Sequence, residues 1–183
     1  KTPDPPYQDV AIATVRAGNV IGGGDWAENR LIPDIMQSLM KNEPVIIRNP
    51  NSIRPWQFVL EPLDGYLVLI EQLWDKGMDF ASGWNFGPSE NSAQSVSWIV
   101  GQLGKSWGTQ IDWKEFPQPH PHEAHYLKLD CSKARQLLDW TPKLDLNTTL
   151  QWVAEWYEGY RNEENVLELT SRQIKAYQNL GRL

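Results

Sequence analysis

The stretch Val10 to Trp26, VAIATVRAGNVIGGGDW, most constrains how this chain can fold. It opens as VAIATV, nearly all apolar rather than alternating, the pattern of a strand covered on both faces in a parallel sheet. One such strand cannot make a sheet, so the chain reads as the later part of a larger α/β fold whose earlier strands precede it. The run then reaches Arg16 and breaks into a loop containing Gly22, Gly23 and Gly24. Ligands of α/β proteins bind at such strand ends. The glycines lack the GxGxxG spacing of a dinucleotide fingerprint and the Lys-Ser/Thr of a Walker loop. They read instead as a turn that lets the backbone approach something closely.

Composition narrows the partners. Lys and Arg total 17 against 23 Asp and Glu in 183 residues, a net charge of -6. With no basic tract, nucleic acid and anionic membranes are excluded as main partners. No apolar run reaches the roughly 18 residues of a spanning helix. The opening KTPDPPYQD, residues 1–9, is a polar, Pro-rich connector with no targeting pattern. A single cysteine, Cys131, rules out an internal disulfide and suits a reducing cytoplasm. His120, His122 and His125 cluster but lack cysteine partners or an i, i+4 helical pair, so no metal site is expected.

Beyond the glycine loop, Leu31 to Lys41 reads as a helix with Pro33 in its first turn, and Pro44 to Arg48 as a short β-prone run. Trp56 to Leu60 favours a strand. Glu61-Pro62 then opens a helix carrying Leu63, Tyr66, Leu67, Ile70, Leu73 and Trp74 at helical spacing, the cleanest periodic face in the chain. Trp84 to Phe86 is a further strand, and Ser95 caps a helix. Ile111 to Phe116 alternates as a half-exposed strand, and PQPHP is a loop. Tyr126 to Leu129 is extended, with Asp130 capping a short helix. Thr148 to Tyr160 forms an amphipathic helix with a Thr148/Gln151 capping box, and Thr170/Gln173 opens a last one after the solvated link NEEN. The result is a mixed α/β lobe packed beside sheet strands, divided as 10–30 (strand and substrate loop), 31–161 (substrate lobe) and 162–183 (helical tail).

Evidence for catalysis in these residues is weak, and evidence for anion binding is better. Cys131 reads as structural, and Asp25 and Glu28 as loop solvation rather than acid/base machinery. Arg16, Asn19, Arg30 and Arg54 all sit at ends of predicted elements, free to converge on a ligand. Leu31, at a helix start, can add a backbone N–H. Arg54, locked between Ile53 and Pro55, presents a planar guanidinium suited to phosphate.

TVRAGNVIGGGDW, RLIPD, PVIIRNP, IRPWQFVLEPLDGYL, WNFGP and HPHEAHYLKLDCSKA together resemble the extended short-chain dehydrogenase/reductase enzymes acting on nucleotide sugars, and among them the CDP-glucose 4,6-dehydratases. The resemblance covers almost the whole chain, as the C-terminal half of such an enzyme. It implies the last strands of a Rossmann-type parallel sheet with a small mixed α/β lobe that binds the sugar nucleotide. It also implies NAD as cofactor, CDP-glucose or a related nucleotide sugar as substrate, and a homo-oligomer as the complete enzyme. Position by position, it places Asn19 at the diphosphate-sugar region and Arg30 and the Leu31 backbone along the diphosphate. Val45 to Ile47 border the nucleobase, and Arg54 grips the diphosphate. Glu123 and His120 match positions near the nucleotide ribose where the family more often has Arg and Asp. Ala17 and Gly18 match the segment passing the nicotinamide.

The family's Gly-rich fingerprint, Tyr-x-x-x-Lys pair and acid/base carboxylate are absent: no tyrosine here is followed four places on by Lys. No catalytic residue is therefore expected, and the chain alone should be inactive. Two alternatives stand beside this reading. One is another nucleotide-sugar dehydratase or epimerase; the other is a non-catalytic carbohydrate-binding module, suggested by ten tryptophans. Without strands beside VAIATV, apolar faces would be exposed, and the segment by itself is expected to aggregate or self-associate.

Overall fold

The computed structural model describes residues 10–117 and 127–181. Its strands form small groups rather than one sheet. β1 (Thr14–Ala17) pairs in parallel with β5 (Gly83–Phe86), and β3 (Val45–Ile47) in parallel with β7 (Trp113–Glu115). β4 (Ile53–Phe58) is central to a third group, parallel to β2 (Asn19–Ile21) and antiparallel to β6 (Ala93–Ser95). The helices are α1 (Leu31–Lys41), α2 (Leu60–Lys76), α3 (Val96–Trp107), α4 (Ser132–Leu138), α5 (Leu146–Arg161) and α6 (Val166–Gln178).

β4 starts earlier and ends sooner than Trp56 to Leu60, because two half-length partners share it. Ile53 to Pro55 face β6, while Trp56 to Phe58 face β2. Val59 already has helical dihedrals and leads straight into α2. Two hydrophobic cores result. The larger joins α1, β3, β4, α3 and α5 around Ile35, Phe58, Leu103 and Tyr157. The smaller joins α2, β5 and α4 around Leu69, Trp84, Phe86 and Trp140. Each fully buried side chain of this size contributes about 1.5–3 kcal/mol.

Several expectations change. VAIATV is not covered on both faces: regular strand begins only at Thr14, and Val10, Ile12 and Val15 are exposed. Its parallel partner among the described residues is β5, which leaves the other edge uncovered. In α2 the buried positions are Glu61, Pro62, Gly65, Val68 and Leu69, with Tyr66 and Leu73 packed against the core. Leu63, Leu67, Ile70 and Trp74 form an exposed stripe, Trp74 being 89% exposed. Gly65 explains the choice of face, since a Cβ there would meet the Phe86 ring at 2.2 Å.

The caps also differ from the sequence reading in three helices. Ser95 does cap α3, accepting from the Trp98 N–H at 3.2 Å. Asp145, rather than Thr148, caps α5, accepting from the Thr148 N–H at 2.8 Å, and Asn165 caps α6 five residues ahead of Thr170. Asp130 accepts from the Ser132 N–H at 2.9 Å, but the cap position of α4 is Cys131. In α5 and α6 the Asp or Asn upstream reaches the first free N–H groups and starts the helix earlier, whereas α4 starts one residue later than read.

Candidate functional site

The end of β2, the loop after it, the start of α1 and the ends of β3 and β4 surround one cavity of about 480 Å³. β2 and β4 lie side by side in register Asn19↔Trp56, which brings Asn19, Arg54 and Trp56 to the same wall. Arg54 is buried, and its Nη1 donates to the Ile53 carbonyl at 2.9 Å, so the guanidinium is held rather than waving in solvent. α1 points its N-terminus at the cavity. Its cap residue, Arg30, is extended and makes no side-chain capping bond, while Leu31, Ile32, Pro33 and Asp34 line the wall. The first-turn N–H groups of Leu31 and Ile32, Pro33 having none, with the positive end of the helix dipole favour an anion there.

The glycine loop is fixed from below. A Cβ on Gly23 would sit 2.1 Å from the Trp156 ring, and one on Gly22 would meet Val59 at 2.8 Å. The close approach expected of these glycines is thus to the protein's own core. Trp26 closes the loop over α5, with ring centroids 5.1 Å from Tyr157 and 4.8 Å from Tyr160. The Tyr157 hydroxyl donates to the Asp25 carbonyl, and burial raises its pKa, so it remains a donor. Asp25 is more than loop solvation: its carboxylate accepts from the Ala27 N–H at 3.0 Å and pairs with Arg30 at 3.2 Å.

Of the residues singled out from sequence, Asn19, Arg30, Leu31, Ile47 and Arg54 line this cavity. Val45, at the far end of β3, is buried outside it, while Ile46, half exposed, lines it beside Ile47. Arg16 is exposed and lies outside the lining. Ala17 and Gly18 also lie outside it. Gly18 packs so tightly that a Cβ would meet the Pro55 carbonyl oxygen at 2.5 Å. His120, Glu123 and the other histidines fall outside the described residues. Sequence reading missed Asn29, Asp34, Arg48 and Ser52, which also line the cavity. Arg48 follows a β-prone run and precedes Asn-Pro, a strand-end signal like that of Arg54. Asp34 looks like ordinary helix-dipole complementation, and nothing local reveals its cavity position.

With this geometry in view, similarity to known proteins becomes informative. Over 168 residues the chain is 51% identical to a CDP-glucose 4,6-dehydratase of Salmonella typhimurium, matching 92% of this chain and 47% of that protein. Nearly the whole chain thus resembles one half of a nucleotide-sugar dehydratase. It spans about half the length of the relatives it matches. No family model matches the chain. Among solved structures, a UDP-glucuronic acid 4-epimerase from Bacillus cereus, in complex with UDP-glucuronic acid and NAD, matches with TM-score 0.72 at 19% identity. That match covers 82% of this chain and 46% of the epimerase. A dTDP-glucose 4,6-dehydratase from Bacillus anthracis, in complex with NAD, matches with TM-score 0.64 at 17% identity, covering 83% and 46%. These likenesses show the α/β fold, in which the strands and lobe of this chain make up about half. A β-sandwich carbohydrate-binding module is excluded by the same architecture.

Proposed function

We propose that this chain is the sugar-nucleotide-gripping part of an NAD-dependent CDP-glucose 4,6-dehydratase, which converts CDP-glucose to its 4-keto-6-deoxy derivative. The observation that carries the proposal is the convergence of buried Arg54, Arg30 and the α1 N-terminus on one cavity. Two guanidinium groups and a helix start suit the two charges of a diphosphate. Asn19 then reaches the sugar side, and Ile46 and Ile47 give an apolar border for the base. The half-length identity to the Salmonella enzyme favours CDP-glucose over other sugar nucleotides.

In this reading Arg54 holds the diphosphate in a fixed orientation, and the loop packed on Trp156 and Tyr157 keeps water from one side of the sugar. NAD, when bound to the complete enzyme, would take and return the hydride. The described residues offer it only the strand end at Ala17–Gly18, where Gly18 is closed off by Pro55. That segment could pass a nicotinamide but supplies no phosphate cradle, so no hydride step is derived from it. The test is conversion of CDP-glucose by the full-length protein in the presence of NAD. A 4-keto-6-deoxy product is expected, with none from residues 1–183 alone. A folded full-length protein that turns over UDP- or dTDP-glucose but not CDP-glucose would overturn the substrate assignment.

A further inference from the structure

One side of the cavity carries a pairing that a diphosphate does not explain. Arg48, at the end of β3, donates through Nη2 to the Asn29 side-chain oxygen. Asn29 holds a left-handed backbone, φ 64, which is uncommon without a glycine, and its N–H bonds to the Asp34 carboxylate. Asp34 in turn feels the Arg48 charge. All three line the same cavity as Arg54. A half-buried carboxylate facing a diphosphate would repel it. Its presence on this wall, beside Ile46 and Ile47, marks a place where the ligand offers hydrogen-bond donors.

Resting on the nucleotide-sugar reading above, we propose that Arg48 and Asp34 read the edge of the nucleobase and select cytosine. A carboxylate only accepts and a guanidinium only donates. Along its pairing edge cytosine presents an amino donor at N4, then acceptors at N3 and O2. Asp34 meets the first, and the two parallel N–H groups of Arg48 meet the others. Uracil and thymine present an acceptor at O4 and a donor at N3, so both positions become mismatched. A polar group left unpaired against the wrong base is what makes such discrimination steep. Asn29 positions Arg48 and fixes Asp34, and does not itself need to touch the base.

Titration calorimetry on the full-length protein with CDP, UDP and dTDP tests this. CDP is expected to bind about tenfold or more tightly than UDP or dTDP. Arg48→Lys, which keeps the charge and loses the fork, and Asp34→Ala should each bring the CDP/UDP ratio close to one with UDP affinity nearly unchanged. Arg54→Lys should weaken all three together and leave the ratio intact. Equal binding of CDP and UDP by the unaltered protein, or an unchanged ratio in both Arg48→Lys and Asp34→Ala, overturns the base reading and leaves the diphosphate site standing. Binding of no nucleoside diphosphate overturns both. Arg48 is exposed, so Arg48→Lys carries the test if Asp34→Ala fails to fold by circular dichroism.

Discussion

Arg54 combines burial with a fixed fork, and lysine could supply neither. Its guanidinium lies in a strand, tied to the Ile53 carbonyl and open to the cavity. If the proposed diphosphate site is right, Arg54→Lys should weaken binding of CDP-glucose by roughly 10-fold to 100-fold, since bidentate pairing with phosphate oxygens would be lost while the fold stays intact. Calorimetry with a circular-dichroism control checks this. Gly23 sets a second limit at the same scale. Adding one methyl group drives it into the Trp156 ring, so Gly23→Ala should cost about 1–3 kcal/mol in urea unfolding and loosen the loop. The place of Arg54 in a stiff strand at the cavity is legible in Ile-Arg-Pro because proline and β-branching announce it. Asp34 and Asn29 become site residues only when α1 and β3 are laid side by side, a juxtaposition no local pattern encodes.

Among the elements, α2, the segment leading into α5 and α6 are tied together by one buried carboxylate. Glu61 of α2 accepts from the Lys143 and Leu144 N–H groups, at 3.0 and 2.7 Å, and from the Tyr177 hydroxyl at 2.9 Å. Lys143 reaches Asp64 at 3.4 Å and lies over the Tyr177 ring. Glu61→Ala would leave three donors without their acceptor and should cost roughly 2–4 kcal/mol, releasing α6 first. Glu61→Gln keeps a carbonyl for the N–H groups and an amide that can donate to Tyr177, so the loss should be less than half of that. Hydrogen exchange in α6 distinguishes the two.

Burial raises the Glu61 pKa above its ordinary 4.5, despite the hydrogen bonds that pull it down. The folded state therefore holds the proton more tightly than the unfolded chain. This contribution to stability is full below the ordinary value and is lost as pH rises through the folded one. Melting temperature should carry a declining component just above pH 4.5 that Glu61→Gln removes. In the sequence Glu61 looked like a helix opener beside Pro62. Its burial follows from Gly65 letting α2 press against Phe86, and an apolar period alone cannot say which face a neighbour will cover.

At the scale of the whole molecule, the exposed stripe Leu63, Leu67, Ile70 and Trp74 and the uncovered edge at Val10, Ile12 and Val15 leave apolar faces of the kind that drive association. Residues 1–183 alone should self-associate in solution scattering, and Leu67→Glu with Trp74→Glu should shift them toward monomer. A compact monomer without those changes would count against the idea. The α/β class and the helix order were legible because apolar runs and prolines encode them. The division into two cores was not, since it depends on which strands share β4.

The packing of Trp26 against Tyr157 and Tyr160 adds an optical property to the molecule. This indole is partly exposed, rides on the cavity loop and rests on aromatic rings of α5. Any ligand that draws the loop inward changes the polarity around it, so the difference in emission between the protein and Trp26→Phe should report occupancy of the cavity without an added label.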